Sequence, residues 1–266
     1  MPGEPMALIL HHYAVSIPFS LGKAMPPASD RHALDAELSK LQVETAALGF
    51  EAFIYDYSPV PTSIEGDLIT PSFLHMERVP PDMQGLWCND GYYQIDPVQQ
   101  LALQCCAPFV WSYRHPERTA LKALVTKRDR VAEYMNDNDI ACGLTVPLHL
   151  RDGSFATLTG MKHGQTHEAR LEETMAEFSL LAHQFHDRAY SCFGSDARNS
   201  SPVSLSSREK ECLAYAAEGL TAKQIARQLN RSTATVNLHL NSAIHKLGAS
   251  NRVQAVVRAI HYRLID

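Results

Sequence analysis

The feature that most limits the fold is the final stretch, where short helical patterns follow one another with few residues to spare. Ser206 or Ser207 opens the first, with Glu209 and Glu211 in an acidic first turn. Leu205, Cys212, Leu213 and Ala216 form its apolar stripe and Gly219 closes it. Thr221 caps TAKQIARQL, which turns Ile225 and Leu229 inward, and Ser232 or Thr233 then opens TATVNLHLNSAIHKLG, ended by Gly248. A last helix, RVQAVVRAIHYRLI, carries Val256, Ile260 and Leu264 along one side. A polar turn this tight lays the third helix across the second. Its N-terminal half can then enter a major groove, where donors and acceptors distinguish all four base pairs. A helix-turn-helix is the favoured reading; a plain helical bundle fits the same periodicity.

Charge supports the first reading. From Val203 to Asp266 there are nine Lys and Arg against four Asp and Glu, whereas residues 1–202 hold 15 against 25. A basic module behind an acidic body places any nucleic-acid contact at the C-terminal end, although a solvated surface would show the same excess. No run approaches 18 apolar residues, and the N-terminal residues carry two histidines without a basic region. Neither a membrane span nor a secretory signal is expected, and the cytoplasm is the expected compartment. The six cysteines form no CxxC pair and are expected to be reduced thiols.

Ahead of this module the pattern mixes helix and strand. Residues 1–28 are a Pro- and Met-containing extension. Ser29 or Asp30 then caps a helix with Leu34, Leu38, Leu41 and Leu48 on one stripe, closed by Gly49. Phe53, Tyr55 and Tyr57 alternate as on a strand. Residues 80–107 look helical around a loop, and 117–136 read as one amphipathic helix with Leu121, Leu124, Val125 and Val131. CGLTVPLHL and SFATLTG flank RDG as a hairpin, and 168–190 form a long helix. The expected class is α+β. An α/β/α sandwich over 29–192 is followed by a Ser- and Asn-rich linker, 193–204, and an all-α four-helix module over 205–266.

The C-terminal segment resembles the LuxR-type (GerE-like) DNA-binding domain along its whole length. Glu209, Leu213 and Gly219 fall at that family's characteristic first-helix positions, with QIA, TV, KLG and RVQAV in register. The resemblance implies four helices, the third for recognition and the fourth supporting dimerisation, so the expected partners are DNA as an inverted repeat, a second copy and RNA polymerase. Asn237 stands where the family often has lysine, so the recognition helix presents Asn237, Asn241 and His245, with Thr233 and Thr235 near its start. Asn237 reads adenine or merely faces phosphate or solvent; Lys223, Arg227, Arg231 and Lys246 are the expected phosphate contacts.

The front half resembles the autoinducer-binding domain of quorum-sensing LuxR regulators. Asp96 and Pro97 match its IDP or LDP element, Trp111 its FxW element, Gly143 the glycine of its SG(I/V)T(V/I)P segment, and Thr159 a frequent pocket hydroxyl. The resemblance implies that Asp96 accepts an effector N–H while indole and tyrosyl groups donate to effector carbonyls. The chain departs from the lactone-binding pattern at Met83, Trp87 and Val79, where tryptophan, tyrosine and tyrosine are usual. The Met83–Trp87 pair resembles the unpaired ("solo") LuxR regulators of plant-associated bacteria, which implies a small polar plant compound, an amine or amide held by Asp96 against Trp87 and Trp111. A lactone, or no effector at all, remain alternatives. Candidate effector contacts are Asp96, Trp87, Met83, Trp111, Thr159, Tyr55, Tyr57 and Val79.

Other constellations are weaker. His183 and His186 with Glu172, Glu173 and Cys192 lack a metal-site pattern, and Cys105 and Cys106 read as packed helix positions rather than a redox sensor. No nucleophile–base pair, P-loop or dinucleotide fingerprint is present, so neither catalysis nor a cofactor or metal is expected.

Overall fold

A computed structural model describes residues 28–125, 129–164, 169–199 and 201–265. The extension placed over 1–28 lies outside these but for its last residue. Helix α1 (Ala28–Ala47) already contains Ser29 and Asp30, so neither stands before it as a cap; Leu34, Leu38 and Leu41 are buried and Gly49, at φ +84°, ends the turn as expected. Strand β1 (Ala52–Ser58) follows, then β2 (Phe73–Glu77), a five-residue strand without a sequence signal strong enough to find.

Residues 80–107 resolve into α2 (Met83–Asn89), α3 (Tyr92–Ile95) and α4 (Pro97–Gln104), with β3 (Phe109–Ser112) behind them. The single helix expected over 117–136 is not there. Thr119 caps a 3-10 turn over Ala120–Ala123, and Asp129 caps a separate helix, α5 (Arg130–Asp137), by accepting from the amides of Val131 and Ala132. Two side-chain caps within ten residues outweigh a continuous apolar stripe. The hairpin is as expected: β4 (Ile140–His149) and β5 (Phe155–His163) pair antiparallel around Gly153. The long helix is divided at Thr174 into α6 (Ala169–Glu173) and α7 (Met175–Cys192). A further turn, α8 (Ser195–Arg198), falls inside the expected linker, where Phe193 and Ala197 are buried in the front domain's core.

The five strands form one antiparallel sheet in the order β2-β1-β5-β4-β3. Alternation along each strand supplies two cores. One face meets α1 and α7 through Phe53, Tyr55, Tyr57, Leu144, Leu158, Phe178 and Phe185; the other meets α2 to α5 through Ile54, Trp111, Met161, Met83 and Trp87.

The last module has the four expected helices: α9 (Ser207–Ala217), α10 (Ala222–Gln228), α11 (Thr233–Lys246) and α12 (Arg252–His261). Ser206 and Thr221 each make a capping box, and Ser232 caps α11 by accepting from the Thr235 amide. On α12 the buried side is Ala255 and Ala259; Ile260, expected inward, is 49% exposed. The module rests on the β1–β2 loop. Val60 joins its core, Arg258 pairs with Glu65 at 2.7 Å, and His261 Nε2 lies 2.8 Å from the Thr62 carbonyl.

Candidate effector pocket and DNA-reading helix

Between the sheet and α2 to α5 lies a small cavity, mostly apolar with a few polar groups. Ile54, Leu74, Thr159 and Met161 line it from the sheet, Trp111 from β3, Met83 and Trp87 from α2, and Tyr93, Asp96, Val98, Gln99 and Met135 from the helices above. Of the eight candidate residues, Asp96, Trp87, Met83, Trp111 and Thr159 are brought together here. Val79 packs nearby in the same core without lining the cavity. Tyr55 and Tyr57 lie on the opposite face of β1, where Tyr55 Oη meets His186 Nδ1 at 2.8 Å. A strand sends neighbouring side chains to opposite faces, so the residues that reach the cavity side are Ile54 and Asp56.

Asp96 is the N-cap of α4, with Pro97 at the first helical position, and its Oδ1 accepts from the Val98 amide at 2.9 Å. Tyr113 Oη donates to Oδ1 at 2.8 Å and Trp87 Nε1 to Oδ2 at 3.0 Å. Burial raises the pKa of this carboxyl, against the pull of these three donors. Three protein donors therefore occupy the carboxylate and leave one acceptor site open at Oδ2. Tyr113 is the first residue after β3, two along from Trp111 and packed in the same core, a spacing that could have placed it beside Asp96.

The other indole is also engaged. Trp111 Nε1 donates to Thr145 Oγ1 at 2.9 Å, and Thr145 Oγ1 lies 2.9 Å from Thr159 Oγ1. Two hydroxyls sharing one mutual bond keep one hydrogen in reserve, and Thr159 is the member that lines the cavity. Trp111 reaches Thr145 by lying across Gly143, its register partner on β4.

A second buried acid sits behind the cavity. Asp56 accepts from Tyr93 Oη at 3.0 Å, from Gln99 Nε2 at 3.2 Å and from Thr157 Oγ1. Burial pushes it up to about 7 despite those hydrogen bonds, and the charge of Asp96 adds to the rise. Among the described residues no Lys, Arg or His lines the cavity. The open space admits the centre of a water molecule over about 10 Å³ only, so a larger guest requires the lining to yield. Met83, Met135 and Met161 have the unbranched side chains that do so most readily.

The cysteines depart from the sequence reading. Cys105 follows α4 and Cys106 is exposed, so they are not packed helix positions; among the described residues no group of metal ligands occurs and no helix is long and apolar enough to cross a membrane.

In the C-terminal module, Thr233, Asn237, Asn241 and His245 are exposed along α11, with Thr235 half-buried against the Ser232 hydroxyl; Lys223, Arg227 and Arg231 are exposed on α10 and the turn. Lys246 has a structural partner: its Nζ lies 2.8 Å from Glu209 Oε2. Glu209 also receives Ser242 Oγ and the Ser206 amide, joining α9 to α11. Burial alone would raise its pKa, but the bonds from Lys246, Ser242 and Ser206 outweigh it and hold the carboxyl at about 2. Because the folded value lies below the ordinary 4.5, its stabilisation is complete above that pH and is lost as pH falls towards 2. Glu209→Gln is expected to lower stability by about 2–3 kcal/mol at pH 7 and to flatten the acid limb, as read by thermal unfolding between pH 3 and about 7.

Comparison with known proteins follows this division. Residues 37–189 match the family model described as "Autoinducer binding domain", and residues 203–259 match "Bacterial regulatory proteins, luxR family". The chain is 32% identical to the HTH-type quorum sensing-dependent transcriptional regulator RpaR of Rhodopseudomonas palustris, over 86% of this chain and 88% of that protein. It is 28% identical to the transcriptional activator protein VanR of Vibrio anguillarum, over 80% and 84%. Among solved structures, Escherichia coli SdiA superposes with a TM-score of 0.52 at 19% identity, covering 87% of this chain and 91% of that one, a likeness of fold.

Proposed function

This chain belongs to the LuxR family of bacterial transcriptional regulators, of the quorum-sensing type with an autoinducer-binding domain, and on that premise we propose that its effector is a small polar amine or amide rather than an acyl-homoserine lactone. The observation that carries the proposal is the direction of the hydrogen bonds around the cavity. Both indole N–H groups and the hydroxyls of Tyr93 and Tyr113 are spent on protein acceptors, and Met83 has no donor. A lactone carbonyl facing Met83 would give up a bond worth about 0.5–1.5 kcal/mol net, more if left buried and unpaired. An effector amine or amide N–H can take the one acceptor site left at Asp96 Oδ2, and its carbonyl can take the reserve hydrogen at Thr159. The plant origin of the effector rests on the Met83–Trp87 pair and its likeness to the solo subgroup.

The output is effector-dependent DNA binding by a homodimer on an inverted repeat in the cytoplasm, with RNA polymerase as the downstream partner. Asn237 and Asn241 read bases, and Lys223, Arg227 and Arg231 hold phosphate. An effector shifts the balance only by binding the DNA-competent arrangement better. The loop that joins β1 to β2 touches both the pocket strands and α12, which makes it the short route between them. One observation favours a second reading, a ligand-independent regulator: the cavity as it stands admits little more than a water molecule. Fluorescence anisotropy with promoter fragments separates the two. Affinity that rises at least fivefold with amine-containing plant extract supports the first, and affinity indifferent to every extract supports the second. Asn237→Ala is expected to cost about 1–3 kcal/mol on the preferred fragment and little on random DNA.

A further inference from the structure

We propose that the cavity contains a second acceptor site, Gln99 backed by Asp56, which takes an ammonium group, so that the effector is a short molecule with a hydrogen-bond donor at each end and no apolar tail. This rests on the cavity being the effector site. Gln99 lies in the first turn of α4, three residues after its N-cap Asp96, and both line the cavity. It is 4% exposed and lines the cavity. Its Nε2 is turned to Asp56 Oδ2 at 3.2 Å and Thr157 Oγ1 at 3.4 Å, which leaves Oε1 on the other side, buried and without a partner. With Asp56 ionised, reversing the amide would set its oxygen against the carboxylate, acceptor against acceptor.

A buried amide oxygen without a donor is uncommon and asks for one. Among the described residues the cavity wall offers no cation, while two buried carboxylates, Asp96 and Asp56, lie within electrostatic reach of each other. A guest that brings positive charge to Gln99 Oε1 answers both; an alkyl chain laid there answers neither.

Binding of two probes of equal shape to the full-length protein tests this by calorimetry. 4-Aminobutanamide carries an ammonium where pentanamide carries a methyl. The expected result is at least tenfold tighter binding of 4-aminobutanamide, a preference reduced to threefold or less in Gln99→Leu and, as an independent check that keeps the shape of the wall, in Asp56→Asn. Equal binding of the two probes, or a preference for pentanamide, overturns the second site. If pentanamide binding is then lost in Asp96→Asn, the effector reading survives that failure. Binding of neither probe overturns the second site too. The effector reading falls with it only if plant extract also leaves the unfolding temperature unchanged.

Discussion

Asp96→Ala is expected to destabilise the front domain by about 3–5 kcal/mol, well before any question of effector binding arises. The substitution removes the acceptor of Trp87 Nε1 and of Tyr113 Oη, both buried, and strips the cap from the Val98 amide. Each buried orphan costs about 1–3 kcal/mol and the lost cap about 1, offset in part because burial already disfavours the charged carboxylate. Asp96→Asn separates the contributions. Its oxygen can still serve Tyr113 and Val98 while its amide nitrogen opposes the Trp87 N–H, so a smaller loss, about 1–2 kcal/mol, is expected. Urea unfolding followed by fluorescence reads both, because the chain's two tryptophans both line the cavity. A loss below about 1 kcal/mol for Asp96→Ala would mean that the three hydrogen bonds do not form.

Gly143→Val carries a comparable penalty by a different route. A Cβ at Gly143 would stand 2.6 Å from the Gly160 carbonyl oxygen and closer still to Trp111 Cζ2. Neither neighbour can give way cheaply. Gly160 is in the paired backbone of β5, and Trp111 is anchored on Thr145. Overpacking against a sheet backbone is expected to cost about 3 kcal/mol or more, to free the Trp111 indole from Thr145 and to shift the emission to the red. Gly85→Ala is the control. Nothing lies within 4 Å of a Cβ there, and alanine on a helix should be neutral or stabilising by about 0.5–1 kcal/mol. Equal effects from the two substitutions would contradict the packing described at Gly143.

What could be read beforehand divides by the range of the interactions. The DNA-binding module was legible almost to the residue, since caps at Ser206, Thr221 and Ser232 and the glycines after α9 and α11 act within one turn. The β4–β5 hairpin was legible for the same reason. Strands β2 and β3 were not, because five and four residues are too few to show a period and their partners lie far along the chain. In the pocket, five of eight candidate residues came from the family resemblance and do meet around one cavity. The tyrosines of β1 did not, although strand parity already offered Ile54 and Asp56 in their place. Tyr113 and Gln99 carried a readable signal too, two residues after Trp111 and three after Asp96. Which donors were already spent could be learned only from the packed structure.

The most direct test of the effector assignment is thermal unfolding of the purified protein with acyl-homoserine lactones, ethanolamine-type amines and plant extract in parallel. At a hundred times Kd, a ligand held by the folded state alone adds about 2.7 kcal/mol, a shift of several degrees. A rise with amines or extract and none with lactones is the predicted result. A rise with lactones alone would contradict it, and would mean that Met83 and Trp87 are tolerated in an ordinary lactone pocket.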